Sequence, residues 1–364
     1  MSDSWACVEN EAAIASPALL LFSDRIERNL DRMIEIARDP RRLRPHVKTH
    51  KLGPLVRRQT ARGVTRFKCS TIAEMELVAR DGATEALLAY PCVGPNIDRL
   101  TGLAAAYPTV QFGTIADDLD AIRALSAAAL REKVKVDVYL DIDCGMHRTG
   151  VFPGADAAAL FRAISFAPSL RAAGLHAYDG HLTDSDPTVR RSQCEHAFAP
   201  VLALQRELGN PKLIAGGSPT FAIHATHPDR ELSPGTTILW DFGYAEKFPD
   251  LPFEPAALLL TRVVSKPAAD RLCLDLGHKA VAAESPPPRV QLLELPDAIP
   301  VMHSEEHLVI ETPRAAEFPV GSVLRGIPRH ICPTVALHQE AWLVENGTAR
   351  ESWPILARAR RLSL

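Results

Sequence analysis

Short strand-like runs and helical stretches alternate along the first two thirds of this chain, and that rhythm restricts its fold more than any other feature. The runs lie at 43–49, 64–70, 86–91, 110–115, 134–143, 170–178, 212–217 and 237–241. The pieces between them, such as 71–81 and 117–131, are rich in Ala, Leu, Glu and Arg and long enough for crossover helices. Eight units in about 220 residues predict an α/β fold, an N-terminal (β/α)₈ TIM-type barrel. An open doubly wound sheet fits less well, because no Gly-x-Gly-x-x-Gly follows an early strand. A helix is expected over 24–38, with Ile26, Leu30, Met33, Ile34 and Ala37 on one face.

After roughly Tyr244 prolines become frequent, and short strands are predicted at 257–265, 271–276, 290–295, 307–311 and 341–344. The expected division is a barrel over 17–244 and a C-terminal mainly-β domain over 245–364, joined by residues 1–16.

Composition narrows the class of partner. A net charge of -3, with basic residues dispersed among acids, argues against nucleic acid. No apolar run approaches a membrane span, and the first residues lack the pattern of a secretory leader. Seven scattered cysteines without a Cys-x-x-Cys pair fit a reducing compartment, so a cytoplasmic protein is expected.

The first run reads Arg44-Pro45-His46-Val47-Lys48-Thr49-His50-Lys51. In a strand, Arg44, His46, Lys48 and His50 would share one face. A packed core would not tolerate such a face, so an anion should lie against it, unless it is a solvent-facing edge. A lysine held among other cations is also a candidate nucleophile. In a barrel, reactive groups belong at the C-terminal ends of the strands. There the chain places Lys48, the segment Asp141 to Gly150, the segment His176 to His181, Gly216-Gly217-Ser218-Pro219-Thr220 and Pro234-Gly235-Thr236-Thr237. The two glycine and hydroxyl turns suit a phosphate, whose oxygens backbone N–H groups approach closely. With a lysine on the first strand, they point to a phosphorylated cofactor bonded to that lysine. His330 and Cys332, two apart, would share a face of an extended segment and are good ligands for a borderline-soft divalent ion.

These motifs, with Ser304-Glu305-Glu306-His307 and His330-Ile331-Cys332-Pro333-Thr334-Val335, resemble in order the D-threonine aldolase and D-serine dehydratase family. Its members are fold-type III pyridoxal phosphate enzymes, more distantly related to the alanine racemases. The resemblance implies that Lys48 bonds pyridoxal 5'-phosphate, beside His46, and that Arg148 contacts the cofactor's phenolic oxygen. It places Ser218, Gly235 and Thr236 at the phosphate and Tyr178 and Tyr244 around the cofactor, and it implies a homodimer. Ser233 stands where the racemases carry an arginine opposite the pyridine nitrogen, so a metal is expected to assist. His330 and Cys332 would hold zinc, manganese or magnesium, with His181 as general base. Glu305, Glu306 and His307 are less definite, because Leu308 stands where the family usually has glycine. Lys279 is a rival lysine without a neighbouring cluster.

The implied substrate is a small D-configured β-hydroxy amino acid. Cleavage of Cα–Cβ gives glycine and an aldehyde, the aldolase reaction. Loss of the hydroxyl gives a 2-oxo acid and ammonia, the reaction of the D-serine and 3-hydroxyaspartate dehydratases, to which His-x-Cys points. The aldolase is the preferred reading, and a non-catalytic carrier of the cofactor is a minor alternative.

Overall fold

The continuous apolar run Ala18–Phe22 forms strand β1, buried throughout, and the amphipathic segment Ser23–Ala37 follows as helix α1. Ile26, Leu30, Met33 and Ala37 are buried, as their spacing predicts. In this computed structural model, which describes residues 4–363, the chain forms two compact units. One comprises Met33–Lys48, Leu52–Gly235 and the described residues from Ala359 on; the other comprises the described residues up to Arg32, Thr49–Lys51 and Thr236–Arg358.

The larger unit alternates helix and strand: α2 (Gly53–Thr60), β2 (Arg66–Cys69), α3 (Ile72–Arg80), β3 (Glu85–Leu88), α4 (Asn96–Ala106), β4 (Gln111–Ala116), α5 (Leu119–Arg131), β5 (Val136–Ile142), α6 (Ala155–Phe166), β6 (Leu170–Ala177), α7 (Pro187–Glu207), β7 (Lys212–Ala215), α8 (Phe221–Ala225) and β8 (Arg230–Leu232). Capping side chains set several helix starts. Thr71 accepts from the Glu74 N–H and Asp118 from the Ala121 N–H. The strands pair in parallel in the order β2 to β8. Leu43 bridges Leu232 and His46 bridges Lys68, both in parallel. Arg44 N donates to Leu232 O at 2.8 Å and Lys68 N to Pro45 O at 2.9 Å. The segment 43–46 thus lies between β8 and β2 and closes the expected eight-membered barrel.

Two strand assignments need correction. The eighth strand is Arg230–Leu232, whereas 237–241 is a 3₁₀ turn, Thr236–Ile238, leading to the helix cap Asp241. Val47–Thr49 is likewise a 3₁₀ turn, so the alternation that begins at Arg44 does not continue through Lys48 and His50. Nor does the core exclude these side chains. Arg44 is 1% exposed, and its guanidinium donates to Glu231 at 2.9 Å and Glu85 at 2.6 Å. Arg66 also donates to Glu231. Burial alone would push the Arg44 guanidinium down, but Glu231, Tyr139 and Glu85 more than reverse it and raise it. Above this ion-pair layer Leu87, Ile115, Tyr139 and Ile214, from four strands, pack together as a barrel core. Alternation along β5 puts Asp137, Tyr139 and Asp141 on one face.

The other unit continues with α9 (Phe242–Lys247), β9 (Ala257–Ala268), β10 (Arg271–Leu274), β11 (Val290–Leu292), β12 (Ile299–His303), β13 (Leu308–Glu311), β14 (Val323–Pro328), α10 (Ile331–Leu337), β15 (Glu340–Glu345) and β16 (Thr348–Pro354). Its mixed sheet runs β12-β13-β10-β9-β1-β15-β16, with β14 joining β9 to β11. β1 is antiparallel to β9 and parallel to β15, Leu20 lying opposite Leu258 and Trp342. Leu20, Phe22, Leu258, Leu260, Ile327 and Val344 form its core with residues from the N-terminal segment. No helix of the described residues is long and apolar enough to cross a membrane.

Candidate active site

The C-terminal ends of the barrel strands surround a cavity of about 470 Å³ lined by His46, Lys48, Lys68, Asp141, Arg148, His176 and Tyr178 among others. That volume is ordinary for a small-molecule site. Four residues anticipated from the sequence, His46, Lys48, Arg148 and Tyr178, therefore meet in one place. His46 Nδ1 accepts from the Lys48 N–H at 3.3 Å, which sets the backbone from which Lys48 projects. Three cations converge on one aromatic ring. Lys48 Nζ, Lys68 Nζ and the Arg148 guanidinium carbon lie 6.0, 5.5 and 5.3 Å from the Tyr178 ring centroid.

Lys68, on β2, was not anticipated. Its side chain is buried, and its one hydrogen-bond partner among the described residues is His176 Nε2, at 3.5 Å. His176 Nδ1 lies 2.7 Å from Asp141 Oδ1, and Asp141 Oδ2 accepts from Thr149 Oγ1 at 2.8 Å. A carboxylate only accepts, so the imidazole proton sits on Nδ1 and Nε2 accepts from Lys68. Burial pushes His176 down despite Asp141, which keeps it neutral. Asp141 is raised by burial but lowered more by His176 and Thr149. For Lys68, burial and then the Lys48 charge depress the amine to about 7.

A second buried network underlies the glycine turn after β7. Arg230 Nη1 donates to His224 Nδ1 at 2.8 Å, His224 Nε2 lies 2.8 Å from Asp179 Oδ2, and Thr220 Oγ1 donates to Asp179 Oδ1 at 2.9 Å. Asp179, Cys194 and His224 carry potential metal-ligating atoms within 4.8 Å of one another. Because an arginine only donates, His224 Nδ1 accepts and Nε2 carries the proton toward Asp179. That tautomer holds a hydrogen-bonded brace and turns a proton toward the place a cation would take. Gly216 needs its φ of +77°, and a Cβ there would run into His224. A Cβ on Gly217 would lie 2.9 Å from the Tyr178 ring. The brace therefore seats the turn against the ring that lines the cavity. Beyond it Ser218, buried, accepts from the Gly235 N–H at 3.1 Å, so these two sequence-anticipated positions adjoin. Ser233 is buried and donates to Arg44 O at 3.1 Å. His181 is exposed beside Gly145, outside the lining of the cavity.

In the other unit, His330 caps α10, so His330 and Cys332 open a helix instead of lying along an extended segment. They are nonetheless together. His330 Nδ1 lies 2.6 Å from Glu284 Oε1, which leaves its bond to Cys332 to Nε2. Burial opposes the imidazolium, but Cys332, Glu284 and Asp241 outweigh it and hold His330 at about 9. Cys332 Sγ lies 3.2 Å from Thr49 Oγ1 and 3.6 Å from Thr236 Oγ1. A nitrogen and a sulfur in reach of each other, with a carboxylate on the far imidazole nitrogen, suit a borderline-soft divalent ion. Asp241 accepts from Tyr244 N at 2.8 Å and Ile331 N at 3.0 Å, joining the starts of α9 and α10. Tyr244 packs edge-on against Trp240 and Phe248. Lys279 is exposed and paired with Glu305 and Glu306.

A barrel whose strand ends carry a lysine, an aromatic platform and a glycine turn, followed by a β domain, defines the architecture of the alanine racemase-like enzymes. Residues 22–241 match the family described as alanine racemase, N-terminal domain, and residues 256–344 match the putative serine dehydratase domain. D-Threonine aldolase of Arthrobacter sp. is 30% identical over 95% of this chain and 93% of its own. D-threo-3-Hydroxyaspartate dehydratase of Delftia sp. (strain HT23) is 26% identical over 88% of this chain and 92% of its own. The crystal structure of D-threonine aldolase from Filomicrobium marinum superposes with a TM-score of 0.88 at 30% identity, covering 99% of each chain. The chain belongs to the D-threonine aldolase and 3-hydroxyaspartate aldolase/dehydratase family, fold-type III pyridoxal phosphate lyases.

Proposed function

We propose that this protein is a pyridoxal phosphate- and divalent-metal-dependent aldolase that cleaves D-β-hydroxy amino acids of the D-threonine type to glycine and an aldehyde. The observation that carries the reading is the cavity at the strand ends, where Lys48 projects beside Tyr178 and Arg148. Lys48 would be the attachment point, and Tyr178 would line the place of the cofactor. Arg148 faces its phenolic oxygen. The turn at Gly216 to Ser218, with Gly235 and Thr236, holds its phosphate, and Tyr244 belongs to the same set. His330 and Cys332 are the metal ligands, with zinc favoured by the thiol. When bound, the cofactor accepts the electron pair released at Cα and the metal polarises the substrate hydroxyl. His181 is the group assigned to take the hydroxyl proton. The working assembly in this reading is a homodimer.

A second reading has its own support. The thiol of Cys332 follows the pattern of the dehydratases, and a dehydratase is among the relatives. Product analysis separates the two. Purified, cofactor-loaded protein given D-threonine is expected to yield glycine and acetaldehyde, and chelation to stop it; ammonia and pyruvate from D-serine instead would establish the dehydratase. Cys332→Ala is expected to remove the chelator-sensitive part of turnover and leave the cofactor's colour; unchanged turnover would make Cys332 a packing residue.

A further inference from the structure

Lys68 has no place in the activity as described, yet it is the most deeply placed amine of the cavity. Its Nζ lies 5.5 Å from the centre of the Tyr178 ring, beside which Lys48 and Arg148 also sit. It is 2% exposed and no carboxylate of the described residues forms an ion pair with it; its polar partner is the uncharged nitrogen of His176. A buried charge is costly unless paired. Arg44, 1% exposed in the same barrel, is by contrast bonded to two carboxylates. At Lys68 the charges of Asp179 and Asp141 act only from beyond ion-pair reach, and the amine lines a cavity. Two ammonium groups facing one cavity repel until an anion lies between them. The cofactor brings one of the right kind, since the phenolic oxygen of pyridoxal sits on the ring carbon next to the one through which it is joined to its lysine.

We propose that Lys68 is a cofactor-binding residue that donates to the phenolic oxygen of pyridoxal phosphate attached at Lys48, and that His176 and Asp141 are positioning residues that aim it. This rests on the reading of Lys48 as the attachment point. Asp141 fixes the His176 tautomer, and the bare Nε2 holds one proton of Lys68 and directs the others into the cavity. The depressed proton affinity of Lys68 agrees with an amine that takes its counter-charge from a ligand. A cation at the phenolic oxygen also makes the nitrogen that joins cofactor to lysine harder to protonate. Lys68 thereby sets the pH at which the bound cofactor changes colour.

The test uses the full chain loaded with pyridoxal 5'-phosphate, without substrate, as wild type, Lys68→Met and Lys68→Arg. The pH titration of the visible band is expected to move upward by about one unit in Lys68→Met, and the cofactor's dissociation constant to rise about tenfold or more. Lys68→Arg is expected to restore most of both. Lys68→Gln replaces Lys68→Met if the latter does not fold. An unshifted titration and affinity in a folded neutral variant would overturn the proposal. Borohydride reduction followed by peptide mapping separates this failure from that of the underlying reading: label on Lys48 leaves the attachment point standing, whereas label on Lys68 would overturn both.

Discussion

Two groups of cations, each with one fully buried member, share this barrel and are treated in opposite ways. Arg44 and Arg66 are matched by Glu85 and Glu231, so their charges are consumed inside the fold. Lys48, Lys68 and Arg148 gather around Tyr178 with Asp141 as the lining carboxylate, and Asp141 is already engaged by His176 and Thr149. The lesson concerns where function is to be looked for. A buried cation that is paired belongs to the architecture, and an excess of cations over anions at the strand ends marks a place kept for an anionic ligand.

The contrast can be broken most decisively at Lys48. Lys48→Ala is expected to abolish the absorbance near the visible edge in cofactor-loaded protein; retained absorbance would transfer the attachment to Lys68, since Lys279 is exposed and paired with two glutamates. The matched cluster should respond differently. Arg44→Met leaves the buried Glu231 and the half-buried Glu85 each short of a partner and is expected to cost about 3–5 kcal/mol in chemical denaturation; a loss under about 1 kcal/mol would show that the pairing carries little of the barrel's stability. A smaller effect is expected at Asp179. Burial raises its carboxyl, but His224 and Thr220 outweigh it and hold it below the ordinary range. A depressed folded value gives stability that is complete above the unfolded value of about 4 and is lost as pH falls through the folded one. Asp179→Asn should therefore lose less stability than the wild type between about pH 5 and pH 2, and parallel curves would contradict the assignment. The smallest effect belongs to the exposed pairs. Lys279→Ala is expected to leave colour and melting temperature unchanged, because surface pairs in water contribute little.

The barrel was legible because its helices and most of its strands are apolar on the expected periods. Ile72–Arg80 and Leu119–Arg131 fall within the stretches that composition marks as helical. The eighth strand was not legible, since Arg-Glu-Leu does not look like a barrel strand until Arg230 is seen bonded to His224 and Glu231 to Arg44. Apolar Thr237–Asp241 took its place in the sequence reading for the same reason. Lys48, Arg148 and Tyr178 were visible through motif and position, and the structure gathers them. Lys68 was hidden in a strand whose composition suggested no chemistry. The available signal was a lysine one residue from the C-terminal end of a barrel strand, where reactive groups collect. His330 and Cys332 come together at a helix start, by a local geometry that their spacing alone did not specify.

Strand β1 carries a consequence for how the protein is made. Residues 18–22 take their hydrogen bonds from partners at 257–260 and 342–344, so this strand is paired only by segments made after the whole barrel. While the chain grows, the barrel residues have their neighbours within reach, but an apolar strand of five buried residues has both edges open until residues 257–260 and then 342–344 are made. A nascent chain stopped after the barrel would carry β1 as an unpaired apolar ribbon, and protection of that ribbon during translation is a demand that the finished fold no longer shows.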